Sequence, residues 1–439
     1  MKARLALIIT VSTILCACAG PSLRYKNDVN SLLEKGNFAG AAQKIQEEES
    51  DEYGSNNALL FQLDLSSAYV GEHNDSEVNA TLAQAQDTID KLYAKSITQG
   101  LGTLLINDNT EPYRARVYEA ALTYFLRAMS YLAQNNLEDA AVEARRAVFF
   151  LDKTRQSKTS GYSDDAFVQY FASMIFEDIG SLSDARISRQ NAQNAYEKDK
   201  SWSAAALPNF PPPQDYAQKG EAVIFHYNGK APYKISKSIS LAWNDIWFAL
   251  NDVSDLDGVS KDTVNAVFAG AFGRSITISF PEMVDNSYKI TSSEVLVNGL
   301  DSPPIETQLV ADISQIAKQT LKEELAAAYA RTVVRAVSKY ILSVQAREGT
   351  KSATNNDTLG ELVGMLFSTL SYITEKADTR SWFTLPSQIR MGSIFLPPGA
   401  YDIKLVFYNE EKKAIDEHLF EKVQINKGQR TYLYHRTAK

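Results

Sequence analysis

The chain has only four histidines, the residue type that most often binds metals or transfers protons in enzymes. None of them has a second metal-binding side chain at the short spacing of a helix or turn site. They are His73, His226, His418 and His435. The chain also lacks the Gly-x-Ser-x-Gly elbow of serine hydrolases and the glycine loops that bind phosphates. We therefore expect no metal, no cofactor and no enzyme activity, and a cell-wall-remodelling hydrolase is the enzymatic alternative.

Asp378 and Arg380 form the pair of side chains with the clearest binding chemistry. They flank Thr379 and precede Trp382, just after a predicted helix. A carboxylate and a guanidinium two residues apart could clamp a ligand between them. The other interpretation, which we favour, is that the pair ties the helix end to the next strand. Both residues are kept as candidate partner-binding residues.

The N-terminus has the charge and hydropathy pattern of an export signal. Lys2 and Arg4 precede an apolar run over residues 5–15. This run has the length of a signal-peptide core. It is too short to span a bilayer, which needs roughly 20 apolar residues. The pattern predicts a signal peptide over residues 1–17.

Both cysteines of the chain end this segment, in the order Leu15-Cys16-Ala17-Cys18. The ending resembles the bacterial lipobox, which implies cleavage before Cys18 and lipidation of its sulfur. Cys16 is a poorer candidate because bulky Leu15 would occupy its cleavage position. In Gram-negative sorting, Ala19 rather than Asp after the lipidated cysteine implies the outer membrane, with the chain on the periplasmic face. The alternative is an ordinary signal peptide whose cysteines are incidental.

Composition describes an acidic globular protein. The chain has 439 residues, a formal net charge of −8 and 44% hydrophobic residues. This length predicts two or three domains. Because basic clusters are absent from the sequence, nucleic acid is not an expected partner.

Residues 18–200 have the pattern of successive helices joined by short turns. The clearest part, residues 118–151, resembles a tetratricopeptide repeat, in which aromatic and small residues line two packed helices. The matching positions are Tyr124, Ala128, Tyr131, Ala140 and Ala147. Weaker copies fit at Ser173, Phe176, Gly180, Ala185 and Ala192, and at Tyr25, Gly36, Phe38 and Ala41. The alternative is a plain helical bundle with alanine-rich contacts.

Repeats of this family bind extended segments of other proteins in a concave groove. Thr123, Arg127 and Ser130 lie between the packing positions of the clearest repeat, so we expect them to face that groove. Arg127 is the strongest candidate because a guanidinium can hold a carboxylate with two hydrogen bonds. The alternative is that Arg127 is simply a solvated helix residue.

A proline-rich linker over residues 201–220 separates the helices from a mixed second half. Residues 221–384 have the pattern of an α+β domain with a long helical hairpin. Its predicted helices cover residues 305–347 and 359–377. The second carries Gly360 and Gly364, which would allow close packing on the first helix, with membrane or partner contact as the alternative.

The last segment, residues 385–439, has the alternating pattern of strands and predicts an antiparallel β module. The fold class expected for the whole chain is therefore α+β: an all-α helical repeat domain, an α+β domain and this β module.

The mature chain as a whole resembles a largely uncharacterised family of bacterial lipoproteins with N-terminal tetratricopeptide repeats. The residues that carry the resemblance are 118–119, 143–146, 377–382, 385–386 and 396–399. The resemblance implies a non-enzymatic scaffold or adaptor that binds a protein partner, in cell-envelope assembly or peptidoglycan synthesis. A structural spacer without a single partner is the remaining alternative.

Overall fold

A computed structural model describes residues 20–98, 111–157, 162, 164–242, 275–300, 303–325 and 377–439. Cys18 and the predicted signal peptide lie outside the described residues. Most of the predicted helical hairpin, including Gly360 and Gly364, lies outside them as well.

The described residues before residue 200 contain eight α-helices. They are α1 (Leu23–Glu34), α2 (Phe38–Glu47), α3 (Ala58–Glu72), α4 (Asp75–Thr98), α5 (Val117–Ala133), α6 (Leu137–Ser157), α7 (Ala166–Asp178) and α8 (Leu182–Asp199). A π-helical turn, Glu49–Tyr53, and a 3-10 turn, Ser55–Asn57, connect α2 to α3. Among the helices described here, none combines the length and apolarity needed to cross a membrane.

These helices pack in sequence as hairpins, each against the next. Gly36 and Gly180 follow α1 and α7 with φ of +70° and +76°, a conformation that reverses the chain at little cost only for glycine. Ala128 and Ala140 are fully buried where α5 meets α6, because small side chains let two helix backbones approach closely. The predicted helical first half is therefore confirmed.

The second half contains ten described strands, one α-helix and a 3-10 turn, Tyr216–Gln218. The strands are β1 (Gly220–Asn228), β2 (Tyr233–Ala242), β3 (Ser275–Val284), β4 (Ser292–Val297), β5 (Ile305–Glu306), β6 (Gln308–Asp312), β7 (Gln388–Leu396), β8 (Gly399–Tyr408), β9 (Ala414–Ile425) and β10 (Arg430–Thr437). Residues 313–325 are helical and are called α9. The strand orders are β10-β1-β7-β6, β5-β4-β8-β9 and the separate pair β2-β3. Helices precede strands along the chain, so the fold class is α+β, as predicted.

Strand β1 lies at the centre of the molecule and explains how the layers pack. Its side chains alternate between two faces. Val223, Phe225 and Tyr227 join the core shared with the helices, while Ala222 and Ile224 join the core between the two four-stranded sheets. The molecule is thus layered as helices, first sheet and second sheet.

The helix predicted over residues 305–347 begins later than expected. Residues 305–306 and 308–312 form strands β5 and β6, and the helical conformation starts at residue 313. The Asp312 side chain accepts a hydrogen bond from the backbone N–H of Gln315, at 3.1 Å, and so caps the helix. A short apolar run is compatible with the periodicity of a strand as well as that of a helix, so the capping residue marks the start of the helix better than the run does.

The strands of the predicted C-terminal module do not form a sheet of their own. Strand β7 pairs antiparallel with β1, β10 pairs parallel with β1, and β8 pairs antiparallel with β4. The predicted boundary between residues 384 and 385 thus falls within shared sheets, and β10 pairs parallel with a strand that precedes this boundary. Strand pairing between distant segments has no signal in the local pattern of either segment.

The proline-rich linker packs along β6, the edge strand of the first sheet. The backbone N–H of Ala206 donates to the carbonyl of Leu309 in edge strand β6, at 3.2 Å. The backbone N–H of Asn209 donates to the Gln308 side chain, at 2.9 Å. Prolines cannot continue such pairing, so the linker shields the edge without extending the sheet.

Candidate functional site

Residues 377–387, called here the inner segment, lie between the helices and the first sheet. Trp382 and Phe383 anchor it, with only 1% and 0% of their surfaces exposed. The Trp382 indole N–H donates to Ser67 Oγ at 2.9 Å, and its backbone N–H donates to Glu119 Oε1 at 3.2 Å. The helical domain therefore holds a non-helical stretch of its own chain, with a turn at residues 383–384.

The carboxylate of Glu119, near the start of α5, accepts a hydrogen bond from the inner segment and three more from the protein around it. Oε2 accepts from the Tyr113 hydroxyl and from the Arg116 backbone, both at 2.7 Å. Oε1 accepts from the Tyr118 hydroxyl, at 3.4 Å, besides the backbone of Trp382. A buried carboxylate with this many donors is a structural anchor, and no acceptor site is left for a ligand.

Asp64, in α3, holds the next residue of the inner segment. Its Oδ1 accepts from the Thr384 hydroxyl at 2.8 Å, and its Oδ2 accepts from the Tyr53 hydroxyl at 3.0 Å. Complete burial raises the pKa of Asp64 to about 7, although these hydrogen bonds lower it. A carboxyl with such a pKa is a common general acid, but this one is covered by its own chain.

The predicted pair Asp378 and Arg380 is brought together, but within the protein rather than around a ligand. Arg380 Nε and Nη2 donate to the two Asp378 oxygens at 2.8 and 2.9 Å, and Nη1 donates to the Glu111 carbonyl at 2.8 Å. Burial alone would raise the pKa of Asp378, yet the hydrogen bonds and charge of Arg380 hold it at about 2. The pair thus bonds within the inner segment and to the loop before α5, while the helix whose end it was predicted to tie lies outside the described residues.

Lys26 secures the same part of the inner segment from α1. Its Nζ donates to the carbonyl of Thr379 at 3.0 Å. Burial lowers the pKa of Lys26 to about 8, against the raising effect of Asp64. The beginning of the inner segment is thus fixed by side chains from both halves of the chain.

Thr123 and Ser130 do not face a groove, contrary to the prediction. Thr123 is fully buried and its hydroxyl donates to the Ala120 carbonyl, at 2.7 Å. Ser130 is 2% exposed and its hydroxyl donates to Asn79 Oδ1 in α4, at 2.5 Å. The prediction failed because α4 packs on the face of α5 that was expected to be open.

Arg127 does hold a carboxylate, but it is the protein's own. Its Nη1 donates to Glu143 Oε1 at 3.0 Å and to Gln86 Oε1 at 2.8 Å. Arg146 also donates to Glu143, at 3.3 Å. The Glu143 side chain is 3% exposed, so this network joins α4, α5 and α6 and leaves no free guanidinium for a partner.

All four histidines lie near one another, which their spacing in sequence gave no reason to expect. The rings of His418 and His435 stack at 3.8 Å, and the His73 ring lies 6.1 Å from that of His435. Fully buried His226 pairs with His435 across β1 and β10 and is bonded to two hydroxyl groups. Burial lowers the pKa of each imidazole. Among the residues that the structure describes, no group of histidine, cysteine or acidic side chains could hold a metal ion.

One open cavity, of about 440 Å³, lies where the linker meets β5, β6 and β7. Arg390 lines it, but its Nε and Nη2 donate to Thr307 at 3.1 and 2.7 Å. The cavity therefore presents a guanidinium that is already engaged on two of its three nitrogens.

No family model matches the chain, and comparisons with curated proteins and with solved structures found no match either. Among the described residues, Lys26, Asp64 and Glu119 bond to the inner segment and so join the two halves of the chain.

Proposed function

We propose that this chain is a non-enzymatic outer-membrane lipoprotein, lipidated at Cys18, that acts as a periplasmic scaffold or adaptor. Its helical hairpins would be tetratricopeptide-like repeats that bind a protein partner in cell-envelope assembly or peptidoglycan synthesis. The hairpin turns at Gly36 and Gly180 and the buried alanines of α5 and α6 support the repeat assignment.

The inner segment changes where a partner could dock. Because residues 377–387 already fill the space between the helices and the first sheet, a partner needs a different surface. The proposal rests on the apolar side chains exposed on the outer face of α6. There, Val142 and Phe149 are 45% and 61% exposed, although most apolar residues of this helix are buried.

Exposed apolar side chains occur on two of the helices, α6 and α8. Val142 and Phe149 lie seven residues apart, about two helical turns, so they point to the same side. In α8, the second helix of the next hairpin, Leu182 and Ile187 are 70% and 57% exposed. Exposed apolar side chains that recur on equivalent helices are typical of an interaction surface.

Basic side chains lie near the Phe149 end of this face, whereas Glu138 and Asp139 are exposed one turn before Val142. Arg145, Lys153 and Arg186 are exposed and form no ion pair with any residue that the structure describes. The Lys153 Nζ lies 4.2 Å from the centre of the Phe149 ring. Apolar and basic groups side by side fit an amphipathic segment that carries acidic side chains.

Substitution on the outer face tests this proposal. The double variant Val142→Glu and Phe149→Glu should keep its circular dichroism and its membrane fraction but lose the partner captured by in-cell crosslinking. Charge introduced at an interface centre typically weakens binding by about 2 kcal/mol, or roughly thirtyfold. Leu419→Glu, at a position in β9 that is 40% exposed, is the matched control and should retain the partner.

Three results would contradict the proposal. Unchanged capture by the double variant would exclude this face. A wild-type protein that captures no specific partner would favour a spacer. Cleavage of cell wall in a zymogram would instead establish a hydrolase.

A further inference from the structure

The described chain is fixed immediately after the proposed lipidation site. A side-chain carbon on Gly20 would lie 2.5 Å from Arg380 Cγ, so the Gly20 backbone packs directly on that buried side chain. Ser22 then donates from its backbone N–H and its hydroxyl to Glu52, at 2.7 and 3.0 Å. The Ser22 hydroxyl also accepts from the backbone of Tyr25 and caps α1.

Very little chain separates this fixed point from the proposed anchor. Gly20 follows Cys18 by two residues. Even a fully extended chain would span only about 7 Å over that interval, at roughly 3.3–3.6 Å per residue. The headgroup layer on one side of a bilayer is itself about 5–7.5 Å thick, from total and hydrocarbon thicknesses of about 40–45 Å and 30 Å. An acylated Cys18 therefore cannot place Gly20 far from the lipid.

We propose that the end of the molecule around Gly20 rests on the phospholipid headgroups as a membrane-contacting face. This inference rests on the lipidation of Cys18 proposed above. The face consists of the first turn of α1 and the turn Glu49–Tyr53, which Ser22 joins to it through Glu52.

The exposed side chains of the first turn suit this position. Leu23 is 50% exposed, and Arg24 is exposed without an ion pair to any described residue. An apolar and a basic side chain together favour the headgroup region. The neighbouring turn is acidic, with Glu49 and Asp51 exposed, so the short tether rather than net charge holds the face on the lipid. The contact should therefore persist at high salt.

Quenching of a fluorophore by labelled lipid tests the proposal. In the mature protein the only cysteine is acylated, so Leu23→Cys would supply a single reactive thiol. With the lipidated protein in vesicles whose headgroups carry a nitroxide quencher, we expect several-fold stronger quenching at residue 23 than at a control. The control is Ile187→Cys in α8, the last helix of the first half, where Ile187 is 57% exposed.

A longer tether distinguishes a contact that the short chain imposes from one that the face makes through its own affinity for lipid. Insertion of about 20 Gly and Ser residues between Ala19 and Gly20 should reduce quenching at residue 23 to the control level, while the protein still sediments with vesicles. Equal quenching at residues 23 and 187 in the original protein would overturn the inference, as would quenching that the insertion leaves unchanged. A mature protein that carries no acyl chain by mass spectrometry would instead overturn the lipid anchor itself.

Discussion

Replacement of Asp64 by asparagine should make the protein more stable at neutral and alkaline pH than the wild type. In the folded protein Asp64 is completely buried, and the pKa of its carboxyl is raised to about 7 from the usual 3.8. Its partners Tyr53 and Thr384 are compatible with a neutral amide, whose oxygen can still accept a hydrogen bond.

The size and sign of the effect follow from proton linkage. Between pH 3.8 and about 7, the folded state binds a proton at Asp64 that the unfolded state has lost, so stability falls as pH rises. The pKa of Asp64 in the folded and unfolded states differs by about three units, and each unit corresponds to about 1.36 kcal/mol. The loss in free energy of unfolding is therefore at most about 4 kcal/mol. Asparagine, which cannot ionise, avoids this loss. The Asp64→Asn protein should thus resemble wild type below pH 4 and be more stable by up to that amount above pH 7.

Urea unfolding followed by tryptophan fluorescence, at several values of pH between 4 and 8, measures this difference. Exposed Asp87 supplies the control, because Asp87→Asn should change stability by less than about 0.5 kcal/mol at every pH. Parallel stability curves for wild type and Asp64→Asn, or a variant that loses stability relative to wild type as pH rises, would refute the reasoning.

Three further predictions concern other buried contacts. Arg127→Glu should unfold or loosen the helical domain, since it leaves Glu143 buried beside a second carboxylate; losing one partner of a buried pair costs about 3–5 kcal/mol, measurable by urea unfolding. Gly71→Ala should lower the melting temperature despite the better helix propensity of alanine, because its Cβ would overlap the Phe38 ring. Burial, reinforced by neighbouring imidazoles, lowers the pKa of His435 from 6.5 to about 3. Stability should therefore fall as pH drops below 6.5, and His435→Gln should lose less than wild type between pH 7 and 4.5 in thermal melts.

The helical half was predictable because its signals are local. Turn glycines such as Gly36 and Gly180 and the spacing of apolar residues depend only on neighbours along the chain. The same holds for most strands of the second half, whose alternation marks a buried face. The late start of α9 differs from the prediction because the apolar stripe runs on through strands β5 and β6, and the helix begins only after the cap at Asp312.

The candidate site was harder to predict because its contacts join distant parts of the chain. Trp382 meets Glu119 and Ser67 across more than 260 residues, and no local pattern indicates that pairing. The groove assignment of Thr123 and Ser130 failed for the same reason, since it needed the position of α4. The contact between Asp378 and Arg380 needs only two residues of separation, whereas the helix end that the pair was predicted to tie lies outside the described residues.

Site-specific photo-crosslinking in cells tests the central claim most directly. A benzophenone side chain would replace Phe149 in α6 or Leu182 in α8, with Leu419 in β9 as the control position; all three are exposed. The proposal predicts that both helix positions crosslink to one and the same envelope protein and that the control position does not. Crosslinks to that protein from position 419 alone would contradict it and would place the docking surface on the second sheet.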